Sequence, residues 1–179
     1  MLLYDLFRAS VSLADPGAAA VTFSDTTNDL TYARLDALSD AVAAALTPVV
    51  SREFESHRTP LVGLCCPPSP ALVVGLLGVL NIKCAYVPLP TTAVDTHRLL
   101  VSSVGLTALL VHADYLGLCL HRLAQDEGEG GWRVLATGPP ELCLHLIHRH
   151  RPSCGAQQQP SDHETPVPLH PKTQVAAAW

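Results

Sequence analysis

The sequence predicts an α/β fold: a partial parallel sheet with crossover helices, followed by a disordered tail. Three observations predict it. Leu61–Cys66 is apolar on both faces, the pattern of a strand covered by helices above and below. Residues Ala71 to about Asn81 are apolar all round, as a buried helix must be. Strand and helix patterns then alternate through Ala85–Leu89, a helix from Asp95 to about Ser103, and Thr107–Val111. Such alternation implies right-handed crossovers and a parallel sheet.

Tyr4–Leu13 reads as an amphipathic helix with Leu3, Leu6, Phe7 and Ser10 on one face, stopped by the turn residues Asp15, Pro16 and Gly17. Ala20–Phe23 reads as a strand, Ser24–Asp29 as a polar turn, and Leu30 as a second short strand. Thr31 is a helix N-cap, and Leu35, Leu38, Val42 and Leu46 recur at helical spacing, so residues 32–46 form a helix. Pro48 then marks its end. A polar link from Arg52 to Arg58 leads to the central unit. There Ser69 caps the buried helix with Pro70 at its first position, and Pro88 and Pro90 end the pairing of Ala85–Leu89. In the last third, Tyr115–Gln125 is helical, Asp126–Gly131 is an acidic loop and Trp132–Ala136 is an edge strand. Glu141–Arg151 is a short helix. From Pro152 onward five prolines and the run Gln157–Gln159 mark a disordered tail. The domain is thus residues 1–151, and the Pro/Gln-rich tail is 152–179.

Composition excludes several functions. With 48% hydrophobic and 15% charged residues the chain cannot be disordered throughout. Its net charge is −5 and no stretch gathers cations, so nucleic acid is not a partner. Residues Thr59–Ile82 carry no ionisable group except a cysteine pair, which mimics a membrane span. Pro67, Pro68 and Pro70 divide the run into pieces too short to cross a bilayer, so no membrane is expected. The N-terminus has charges at Asp5 and Arg8 and no secretory core. Five of the six cysteines sit in apolar runs as buried thiols, which fits a reducing cytoplasm.

Two segments carry a resemblance. Leu30-Thr31-Tyr32-Ala33-Arg34-Leu35 and, about fifty residues on, Leu80-Asn81-Ile82-Lys83-Cys84-Ala85-Tyr86-Val87-Pro88-Leu89 resemble the first two core motifs of the adenylate-forming (AMP-dependent synthetase/ligase) enzymes. That family includes acyl-CoA synthetases, luciferases and nonribosomal peptide synthetase adenylation domains. The likeness covers roughly residues 1–115 and includes the Val62-Gly63-Leu64 strand and the Ser69-Pro70 helix start. The second motif departs from the family pattern, having Asn81-Ile82-Lys83 where Lys-Ala-Gly is usual. This looser form is similar to the β-alanine-activating enzymes. The resemblance implies a ligase that uses ATP and Mg to activate a carboxylic or amino acid as acyl-AMP, then passes it to a phosphopantetheine or other carrier thiol.

The family also implies parts that are missing. No Thr-Ser-Gly-Thr-Thr-Gly-like phosphate loop is present, and Gly128-Glu129-Gly130-Gly131 and Thr137-Gly138-Pro139 bring acid or proline where donors and a cation are needed. The adenine motif, the ribose aspartate and the catalytic lysine are absent as well. The expectation is an N-terminal fragment, inactive alone, that binds no cofactor itself. The alternative is a non-catalytic interaction module that docks a partner protein through open sheet edges. As an incomplete sheet, the chain is also expected to expose part of Leu61–Cys66, Ala71–Leu80 and Ala108–Val111, to aggregate and to engage a chaperone.

Other constellations are weak. Cys143, His145 and His148, with His150 and Cys154 nearby, suggest zinc, but no Cys-x-x-Cys knuckle accompanies them. Cys65 and Cys66 must point to opposite faces of a strand and read as inert thiols. His97 and His112 have no recognisable nucleophile beside them. No catalytic, cofactor-binding or metal-binding residue is assigned.

Overall fold

A computed structural model describes residues 2–23, 29–55, 59–92, 101, 103–106, 108–124, 131–138 and 142–149. The helices are α1 (Leu3–Leu13), α2 (Tyr32–Glu55), α3 (Pro70–Asn81) and α4 (Ala113–Ala124). The strands are β1 (Ala19–Val21), β2 (Leu30–Thr31), β3 (Leu61–Cys65), β4 (Ala85–Pro88), β5 (Ala108–His112), β6 (Trp132–Thr137) and β7 (Leu144–Arg149). β1 and β2 form a small antiparallel pair beside α2, and the other five strands form one sheet in the order β4-β3-β5-β7-β6.

The centre matches the sequence reading. β4, β3 and β5 are parallel, with Gly63 opposite Val87 on one side and Leu109 on the other. Side chains of the sheet alternate between two cores. Val62, Leu64, Ala108, Leu110, Leu144 and Leu146 face α1, α2 and α3. Cys65, Leu109, Val111 and Ile147 face α4, together with Val101 and Leu106. The apolar segments expected to face water are therefore covered within this chain, because helices pack on both sides of the three parallel strands.

Several expectations are corrected. The helix expected at 141–151 is strand β7, antiparallel to β5, and it carries β6 on its far side. Leu142, Leu144, Leu146 and Ile147 satisfy either period in isolation. The unpaired edge of β5 decides for the strand, and the sheet becomes mixed. Pro48 does not end α2, which continues to Glu55. Val50 beyond the proline is fully buried and Val49 packs beside it, so burial outweighs the one lost hydrogen bond. On α1 the buried face is offset: Tyr4 and Phe7 pack inward while Leu3, Leu6, Ser10 and Leu13 are exposed. β4 does end at Pro88, and one further bond follows it, the Leu89 N–H donating to the Leu64 carbonyl at 2.8 Å. β4 is an edge strand, and the missing N–H of Pro88 faces away from β3 at no cost to the ladder. The expected N-cap Asp95, the loop 126–130, residue His97 and the tail lie outside the described residues, although 101, 103 and 104 are helical and end at Gly105, whose φ is 73°. Among the described residues no helix is long and apolar enough to cross a membrane.

Candidate functional site

The two family-like segments open and close a helix–helix platform. Thr31 caps α2, its Oγ1 accepting from the Arg34 N–H at 3.2 Å. Leu35, Leu38, Val42 and Leu46 are then buried along one stripe of α2. The second segment begins where α3 ends. The Lys83 N–H donates to the Leu80 carbonyl at 3.1 Å and the Cys84 N–H to Val79 at 3.2 Å, which closes the last turn. This closure requires a left-handed residue, and Lys83 supplies it at φ 59°. The family's usual glycine belongs at that position for a physical reason: no Cβ opposes the turn there. Lys83 adopts the same geometry with strain.

Polar contacts complete the platform. Asn81 Nδ2 donates to Asp40 Oδ1 at 2.8 Å, and the Tyr4 hydroxyl donates to the same oxygen at 3.1 Å. Arg8 pairs with Asp36 through one guanidinium nitrogen. These bonds tie α1 and the end of α3 to one side of α2. The described contacts of Tyr4, Arg8, Asp40 and Asn81 thus join α1, α2 and α3 into one framework.

In sheets of this kind ligands bind beyond the carboxyl ends of the parallel strands. Here that edge carries Cys66, Ser69, His112, Asp114 and Tyr115, joined by Cys143 and His145 at the start of β7. The Ser69 hydroxyl is spent locally. It accepts from the Leu72 N–H at 3.4 Å and donates to the Pro67 carbonyl at 3.0 Å. Pro70 has no N–H to offer. His112 Nδ1 lies 3.3 Å from Asp114 Oδ2. Burial, then the nearby His112, lowers the pKa of His145. The thiols shift the other way. Burial pushes Cys66 up to about 12, and the Cys119 thiol beside Cys65, together with burial, raises that group above the usual thiol range. Protonated thiols and a histidine paired with Asp114 do not fit a triphosphate with its metal ion.

The zinc-like set is taken apart by strand β7. His145 and His148 project to opposite faces of the strand, whereas a helix would have placed them together. Cys143 sits in the preceding turn, exposed, with φ 49°. His150 and Cys154 lie outside the described residues. Among the described residues no three His, Cys, Asp or Glu side chains are grouped to hold a metal. Cys65 and Cys66 do face opposite cores, as their adjacency requires. Sequence reading missed the partner of Cys65: the Cys119 Sγ, 3.7 Å away. Only the packing of α4 on β3 brings those positions together.

Comparison with known proteins places this geometry. The family model described as AMP-binding enzyme matches residues 9–174. The AM-toxin synthetase of Alternaria alternata is 33% identical over 156 residues, covering 85% of this chain and 3% of its own. A nonribosomal peptide synthetase of Glarea lozoyensis is 31% identical over 172 residues, covering 94% and 2%. The chain therefore spans a few per cent of these relatives' length. Among solved structures, the anthranilate CoA ligase AuaEII in complex with anthranoyl-AMP superposes with a TM-score of 0.54 at 17% identity, over 66% of this chain and 22% of that one. The fatty acyl-adenylate ligase from L. pneumophila gives 0.51 at 22% identity, over 65% and 20%. Both likenesses concern the fold. The chain belongs to the AMP-binding enzyme family, the adenylate-forming enzymes, and carries an N-terminal part of their α/β domain.

Proposed function

We propose that this chain supplies the scaffold of an ATP-dependent acid-activating ligase and does not catalyse by itself. One observation carries the reading: the family-like segments build the α2–α3 platform, while the edge where a ligand would sit holds no phosphate cradle among the described residues. In the complete enzyme a substrate carboxylate would displace pyrophosphate from ATP, with Mg, and the acyl-AMP would be captured by a carrier thiol. The peptide synthetases among the relatives support an amino acid as substrate. The loosened second motif supports a small one such as β-alanine. None of the five described cysteines is in a disulfide, which is compatible with work in the cytoplasm.

The test is acid-dependent ATP–pyrophosphate exchange in two arms. The purified chain should give none with any amino or aryl acid. The same chain joined to a downstream segment carrying a phosphate loop and catalytic lysine should gain it. Exchange by the chain alone contradicts the inactive-scaffold reading. A folded fusion that exchanges nothing contradicts the ligase reading. A docking role for the chain draws on a different observation, the exposed Leu3, Leu6 and Leu13 along α1.

A further inference from the structure

Cys65 leaves β3 on the face covered by α4, and Cys119 projects from α4 to meet it. Their Sγ atoms are 3.7 Å apart although the residues are 54 positions apart in sequence. Their exposures are 0% and 1%, and Leu109, Val111, Leu123 and Ile147 belong to the same cluster. Cys66 and Cys84 belong to the core on the opposite face of the sheet, although Cys66, next in sequence to Cys65, still feels Cys119 electrostatically. The remaining described cysteine, Cys143, is exposed in a turn. Among the described cysteines, Cys65 and Cys119 thus share one core with their sulfurs facing each other.

We propose that Cys65 and Cys119 form a redox-sensitive dithiol that closes to an intramolecular disulfide and ties α4 to β3. The oxidant is a low-molecular-weight disulfide of the glutathione class. One protein thiolate attacks it and expels a thiolate, leaving a mixed disulfide on the protein. The second protein thiolate attacks the protein sulfur of that bond and expels the other half. Both S–H bonds are lost and one S–S bond forms. Two electrons reduce the oxidant, which departs as two thiols carrying the two protons. The sulfurs must approach by about 1.7 Å to reach bonding distance, a shift that side-chain rotation and a small slide of α4 would have to supply.

Burial sets the kinetics. The thiols are inaccessible while α4 is seated, so oxidation proceeds through openings of this helix. It should lag behind modification of Cys143 and accelerate with pH as thiolate becomes available. Once formed, the bond closes a long loop in the unfolded chain and raises the unfolding temperature.

The experiment incubates the full chain with oxidised glutathione at about pH 8.5, near the ordinary thiol pKa. Free thiols are then alkylated and the peptides mapped by mass spectrometry. The expected result is a linked Cys65–Cys119 peptide that appears after Cys143 has reacted. An unfolding temperature several degrees higher, reversed by dithiothreitol, should accompany it. Cys65→Ser and Cys119→Ser should each abolish both the linked peptide and the oxidant-dependent rise, whatever their own stability. The proposal is overturned if the folded wild-type chain keeps both thiols alkylatable after prolonged oxidation. It is equally overturned if these cysteines link only in denaturant, or link to other cysteines instead.

Discussion

Gly78 on α3 lies so close to Val42 on α2 that a Cβ added to the glycine would stand 2.5 Å from Val42 Cγ1 and 3.1 Å from the Ser39 carbonyl oxygen. The backbone of one helix is in contact with the other, and no side chain fits between them. Gly75, one turn earlier, is different. A Cβ there would meet Leu64 and Leu110 at 3.5 Å, ordinary contact distance. Gly78→Ala should therefore lose roughly 1–3 kcal/mol by overpacking, despite a gain of about 1 kcal/mol in helix propensity. Gly75→Ala should be neutral or stabilising. Thermal or urea unfolding of the two variants checks the contrast, and equal effects would contradict the packing.

Lys83 supplies a second prediction. An L-residue in the left-handed region costs roughly 1–2 kcal/mol that glycine avoids. Lys83→Gly, which restores the family's usual residue at this turn, should stabilise the chain by about 1 kcal/mol after the entropy of the added glycine is counted. A destabilised variant would show that the lysine side chain makes a compensating contact.

Stability should fall on both sides of a central pH window. His145 is held below its ordinary value of 6.5 by burial and by His112, so the unfolded chain binds the proton first. Stability is then lost as pH drops below that value, down to the lowered pKa of the folded state. Cys66 and Cys84 are raised by burial from an ordinary 9.0 to about 12 and about 11, so the unfolded chain loses its proton first. Stability is lost again as pH climbs above 9 toward those values. Unfolding temperature measured against pH should show both limbs, and His145→Gln should flatten the acid one.

What the sequence made legible was the part whose segments explain themselves. Ser69-Pro70 announces a helix start, and the structure confirms the cap; the unbroken apolar run of Leu61–Cys66 announces an inner strand. The failures were non-local. Nothing near Leu144 states that β5 has an open edge to be filled, and nothing near Pro48 states that Val50 will be buried. Tertiary contacts settled both against local preference. The zinc-like set failed with β7, because exchanging helix for strand moves His145 and His148 to opposite faces. The platform motifs were legible as family marks, while their mechanical role needed the Asn81–Asp40 and Gly78–Val42 contacts.

Among the described residues the most exposed large apolar side chains are on α1, with Tyr86, Leu118, Val134 and Leu135 less exposed on β4, α4 and β6. Leu3 and Leu13 are 62% and 88% exposed, and Leu6 lies between them. These leucines should make the isolated chain self-associate. Leu3→Glu with Leu13→Lys places charges that suit the two helix ends and should shift size-exclusion profiles toward monomer. An unchanged profile would move the cause to the edge strands β4 and β6.

The most direct test of the central claim is an isothermal titration of ATP with Mg into the purified, folded chain. A scaffold that lacks a phosphate cradle should show no saturable heat up to millimolar nucleotide. Saturable binding in the micromolar range, competed by pyrophosphate, would mean that the chain holds its own triphosphate site and would contradict the account.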